Sequence, residues 1–189
     1  MPSYQPAING VKVSAAYAEA MSSAPVTRVM QSTYELNHSS FKDANGNPES
    51  IRIVNDFADI TATLEATAPM NPGAAVVFTA LPCTVSGPDE GDSGVAQAIS
   101  ITIDGVSGEI SKQLDYALGT TEPVKVLERI YASDDYSGPA QLPVLEMILR
   151  NVNVGDVSVT AQPTFFDASN NTFPRIEYSK AEYPGLSAR

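Results

Sequence analysis

The chain has 189 residues, 43% of them hydrophobic, which is enough for one domain with a real core and too little for two. Only 17% are charged, yet 22 Asp and Glu face 11 Lys and Arg; a net charge of −11 repels phosphate backbones and anionic lipid surfaces alike. One cysteine (Cys83) and one histidine (His38) exclude an intrachain disulfide and a cysteine-based metal or iron–sulfur site, and no apolar run approaches the roughly 20 residues of a membrane helix.

Met1 to Gly10, with Pro2, Pro6 and an Asn9-Gly10 pair, reads as an extended arm, without the basic and apolar regions of a signal peptide. From Val11 to Ser23 the composition favours a short amphipathic helix. Ser14 is placed to cap it, Tyr17 and Met21 share a face, and Pro25 ends it. Strand-like runs follow at Val26–Leu36, Ile51–Asn55, Ile60–Ala66 and Ala74–Ser86, with Asn45-Gly46 marking a turn between the first two. Residues 87–94 form a loop rich in Gly and acidic side chains, including Asp89, Glu90 and Asp92.

The clearest pattern is the alternation of Ile99, Ile101 and Ile103 with polar residues, the period of a half-buried strand. The period then changes: Ile110, Leu114 and Leu118 recur every four residues, with Gly119 beyond them, predicting a helix over Gly108–Leu118. Ile99, Ile101, Ile103, Leu114 and Leu118 are therefore core candidates. Val124–Asp134, Val144–Val154 and Ser158–Phe166 return to strand, the last two joined by a two-residue turn at Gly155-Asp156. The expected architecture is mainly β, an antiparallel sandwich or barrel with two short helices. It divides into an arm (1–10), one β-rich domain (11–177) and a C-terminal tail (178–189).

Chemistry is sparse. His38 sits in a Ser- and Asn-rich stretch and is expected on the surface without a role. Cys83, in an apolar run with no basic neighbour, reads as a buried structural thiol. Asp43, Asn45 and Asn47 start like a calcium loop, but Pro48 and Val54 stand where such a loop needs Gly and Glu, so an Asn-Gly turn explains them better. The acidic cluster Asp89–Asp92 is read as a solvated loop rather than a cation site. With no Trp in the chain, sugar-binding clefts lose their usual platform. No catalytic, cofactor-binding or metal-ligating residue is assigned, and the chain reads as non-enzymatic.

Taken in order, these segments resemble a family of phage minor tail proteins built on a domain of unknown function. The order is a short helix at Ser14–Met21, then Val76-Val77-Phe78 through Pro82. ISITIDGVSGEI (Ile99–Ile110), VKVLERIYASD (Val124–Asp134), a hairpin and a closing YSKAEYPGL (Tyr178–Leu186) follow. The order is similar to the N-terminal part of the lambda-type minor tail protein L group, whose C-terminal region holds an iron–sulfur cluster. Here the chain ends soon after Leu186 and Cys83 lies elsewhere, so no cluster is expected.

The resemblance implies a virion protein of a long tail tip, assembled in the host cytoplasm without membrane insertion. It implies a homo-oligomeric ring, hexameric in distal-tail proteins and trimeric in hub proteins, with tail-tube, tape-measure and hub proteins as neighbours. The arm and tail are expected to touch adjacent subunits. The negative charge is expected to let DNA pass a lumen without sticking. The alternative is a carbohydrate- or receptor-binding β-module, which calls for a groove lined by tyrosines. A hydrolase, a third reading, calls for convergent carboxylates in a cleft.

Overall fold

The computed structural model describes residues 11–23, 28–43, 45–86, 100–106, 108–155 and 158–165. The arm 1–10, the acidic loop 87–94, Ile99 and the tail 178–189 lie outside them. The short strand β1 (Lys12–Val13) leads into helix α1 (Ala15–Ser23), and β2 (Met30–Asn37), β3 (Ile51–Val54) and β4 (Ile60–Thr63) follow. The run at 74–86 divides into β5 (Ala75–Ala80) and β6 (Cys83–Ser86), because Leu81-Pro82 bends it. The alternating strand is β7 (Ser100–Asp104) and the predicted helix is α2 (Gly108–Leu118). The chain closes with β8 (Lys125–Ala132), β9 (Gln141–Leu142), β10 (Leu145–Val154) and β11 (Ser158–Phe165).

Nine strands form one sheet in the order β4-β5-β3-β2-β8-β10-β11-β7-β6, and β1 pairs with β9 separately. The sheet is mixed: β3 and β5 run parallel, through Ile53–Thr79 and Val54–Ala80. Although β5 and β6 stand near opposite ends of that order, only Leu81 and Pro82 separate them. The sheet must therefore curl until its ends meet there, where Leu81 N donates to Val54 O (3.1 Å). The result is a sandwich-like roll whose corner is a bent strand, not a closed barrel.

The alternation of side chains sends the two faces of the same strands into different cores. Tyr34, Leu36, Ile53, Val126 and Ile103 fill the inside of the roll, and α2 adds Leu114 and Ala117. On the other face Val54, Phe78 and Tyr131 pack with Ile60 and Leu64. Ile101 and Ile103 are buried as expected. Leu118 is not, at 41% exposed: steps of four drift round a 3.6-residue helix, so Ala117, three residues past Leu114, takes the inner position.

Ser14 Oγ accepts from Tyr17 N (3.1 Å) and caps α1 as predicted, but α1 buries no residue and Met21 is 70% exposed, so the helix lies on the surface rather than packing an apolar face. At the 154–159 turn, Gly155 N donates to Ser158 O (2.8 Å) and Val154 pairs with Val159, while Asp156 of the expected Gly155-Asp156 turn lies outside the described residues. Further along the same pair, the register shifts between Arg150 and Asn153, and Asn151 adopts φ +49. That bulge has no signal in the hydrophobic pattern, because it changes twist rather than burial. No helix among the described residues is long and apolar enough to cross a membrane.

Candidate functional site: buried polar ties and an open cleft

The sequence assigned no functional residue, and the most distinctive polar feature escaped it. Arg129 on β8 is 1% exposed, and its guanidinium binds two buried carboxylates. Nε and Nη2 donate to Glu65 Oε2 and Oε1 (2.7 and 2.8 Å), and Nη1 donates to Glu35 Oε2 (2.6 Å). Glu35 Oε1 also accepts from Arg52 Nη2 (3.0 Å), which reaches Asn71 Oδ1 (2.9 Å) as well.

Two Arg and two Glu make the group neutral in formal charge, the condition under which such burial is tolerable. The carboxylate hydrogen bonds and charges outweigh the burial that opposes them and hold the Arg129 pKa above its ordinary value. Glu35, Arg52 and Arg129 stand on neighbouring strands, whereas Glu65 and Asn71 come from the loop after β4. That loop is closed by Leu64 N to Ala74 O (3.0 Å), so the network clamps it onto the sheet.

His38 is the second correction to the sequence reading. It is buried, with its side chain 1% exposed. Nδ1 accepts from Ser40 N (3.1 Å) with Ser40 Oγ at 2.6 Å, so the proton belongs on Nε2, which faces Thr120 Oγ1 (3.0 Å) and Glu122 O (3.2 Å). With both nitrogens satisfied, the ring ties the loop after β2 to the end of α2. No local pattern marked this, since Thr120 and Glu122 lie more than eighty residues away.

Cys83 is buried as predicted, and burial, followed by the charges of Glu128 and Asp104, pushes its thiol up to about 11. Beside it Tyr34 Oη donates to Glu128 Oε1 (3.3 Å), and burial raises the Glu128 carboxyl above its ordinary value. The Asp43 side chain is filled by its own turn: Oδ1 accepts from Asn45 N and Asn47 N (both 2.8 Å) and Oδ2 from Asn47 Nδ2 (3.0 Å). Those bonds, led by the Asn47 amide, hold the carboxyl below its ordinary pKa, while Gly46 supplies the φ of +83 the turn needs. This is the Asn-Gly turn the sequence favoured. Among the described residues no group of three or more His, Cys, Asp or Glu is arranged to hold a metal ion.

A cleft of about 400 Å³ lies where β3, β5 and α2 meet, lined by Ile51 and Arg52, Val77 and Thr79, and Ile110 and Gln113. Lys42, Asp43, Ser50 and Glu49 complete its lining, and no tyrosine contributes to it. The Arg52 Nε in this region is buried without a hydrogen-bond partner.

No curated protein matches the chain. A family model described as a domain of unknown function, DUF1833, matches residues 16–178, from α1 through the last strand and beyond. That match covers most of the 189 residues, and the chain belongs to this DUF1833 family.

Proposed function

We propose that this chain is a structural virion protein of a long-tailed phage, forming a ring at the tail tip of distal-tail or hub type. The ring joins the tail tube to the central hub and the receptor-binding components. The observation that carries this reading is the use made of the reactive side chains. His38 and the Glu35–Arg129–Glu65 group are spent on internal ties, and the Cys83 thiol is buried in the core. Buried ion pairs and a buried imidazole used as internal ties suit a domain that bears load as part of an assembly. The order of segments resembling phage minor tail proteins supports the same reading, and the charge of −11 suits a wall that DNA passes without binding.

Native mass spectrometry of the purified protein is expected to give three or six chains per particle, and an antibody against it is expected to label the tail tip of phage particles. A monomer at every concentration, or label elsewhere on the virion, overturns the reading.

A further inference from the structure

Asn45 and Gly46 lie exposed in the turn between β2 and β3, and this pair has a chemistry of its own. Asn is a labile residue because its side-chain amide carbon, Cγ, is an electrophile placed next to the following backbone nitrogen. Glycine leaves that nitrogen unshielded, and even a Cβ added to Gly46 would meet no atom within 4 Å. When Gly46 N attacks, an N–Cγ bond forms and closes a cyclic imide. The Cγ–Nδ2 bond breaks, and Nδ2 leaves as ammonia with the proton that Gly46 N gives up. Water then adds to either ring carbonyl. Opening on one side yields aspartate; opening on the other yields isoaspartate, with one more carbon in the backbone.

The folded turn restrains the nucleophile. Gly46 N must lose its proton and swing toward Cγ, yet it donates to Asp43 O (3.0 Å). Asp43 holds that arrangement from several directions. Its Oδ1 accepts from Asn45 N and Asn47 N (both 2.8 Å), and its Oδ2 accepts from Asn47 Nδ2 (3.0 Å). Its own N donates to Asn47 O (2.9 Å). The side-chain bonds end on an ionised acceptor, which makes them stronger than neutral ones. We infer that Asn45 is a deamidation site and that Asp43 sets its rate, by keeping Gly46 N out of the ring-closing position.

The product acts back on the turn. The Asn45 side chain is among the groups that hold the Asp43 carboxyl below its ordinary pKa, after the Asn47 amide and the backbone bonds. Deamidation exchanges that donor for a carboxylate, which repels Asp43 instead of bonding to it. The isoaspartate form also lengthens the backbone inside the loop closed by Gly46 N and Asp43 O. Below the turn stand the Lys42–Pro48 bridge and the bond from Gln113 Nε2 to Lys42 O (2.9 Å). Lys42, Asp43 and Gln113 line the cleft, so the reaction loosens that rim and adds a negative charge beside it. The chemistry needs only water, and it holds whether or not the chain assembles.

Peptide mapping by mass spectrometry, on protein held at mildly alkaline pH, tests it and separates Asn45 from the other Asn-Gly pair at Asn9. The folded wild type is expected to convert slowly at Asn45 to a mixture of aspartate and isoaspartate. Unfolding in urea is expected to speed conversion by about tenfold or more, the factor for losing one hydrogen bond to a charged group. Asp43→Ala, with its fold checked by far-UV circular dichroism, is expected to do the same without urea. Asp43→Asn retains an acceptor oxygen and is expected to restore most of the protection. If Asn45 stays unconverted even in urea, the site is overturned. Equal rates in the folded and unfolded wild type overturn the restraint, a result that holds even where Asp43→Ala fails to fold. A folded Asp43→Ala that converts no faster than the folded wild type overturns the role of Asp43.

Discussion

Arg129 is the buried cation that Glu35 and Glu65 share, and its loss has a calculable direction. Arg129→Met leaves Glu35 and Glu65 buried without their shared cation, with only Arg52 still near Glu35. Breaking a buried pair in this way costs about 3–5 kcal/mol, read as a lower urea midpoint. Replacing Glu35, Glu65 and Arg129 together by apolar residues is expected to recover most of that loss, because no orphan charge then remains.

Glu128 behaves in the opposite sense. Burial lifts its carboxyl above the ordinary 4.5, so the folded state holds that proton more firmly than the unfolded chain does. Its contribution to stability is therefore complete below about pH 4.5 and declines as the pH rises through the folded value. Glu128→Gln is expected to stabilise the protein at pH 7 and to match the wild type near pH 4. Solvent screens part of the carboxylate, which holds the gain under about 1 kcal/mol. Thermal melts at the two pH values check this, and a destabilised variant at pH 7 would sink it.

Among the elements, α1 is attached rather than packed. Its cap at Ser14, the bond from Ser14 N to Ala140 O (2.7 Å) and the Glu19–Arg28 pair (3.1 Å) hold it to the domain, and Arg28 in turn binds Asp134 (2.7 Å). Ser14→Ala is expected to cost the helix about 0.5–2 kcal/mol. Hydrogen exchange at residues 17–23 should speed up while the sheet amides stay unchanged, because no core residue comes from α1. The opposite holds for α2, where Leu114 and Ala117 enter the roll and the His38 tie fixes the end.

For the molecule as a whole, the two cores share β3 and β8, whose alternate residues point into each. Neither core can therefore open without the other. Leu114→Ala in the roll is expected to cost about 2–5 kcal/mol, and Phe78→Ala on the outer face about 3–5 kcal/mol. In both variants far-UV circular dichroism and tyrosine fluorescence should report one common midpoint; separate midpoints would mean two independent units.

Local pattern was enough for the β-rich class, the strand over Ile101 and Ile103, the extent of α2, the Ser14 cap, the Asn-Gly turn and the buried Cys83. Each rests on periodicity or turn chemistry that operates within a few residues. The burial of His38, the exposure of Leu118 and α1, the division of 74–86 and the Glu–Arg network were decided by tertiary structure. Glu35 illustrates why: in sequence it is one acidic residue among 22, and only the pairing of β2 with β3 and β8, with the loop bearing Glu65 folded over them, brings Arg52, Arg129 and that loop together. Charge pairs across sixty or more residues leave no period to read, because their partners are chosen by strand order, and strand order is a property of the folded sheet.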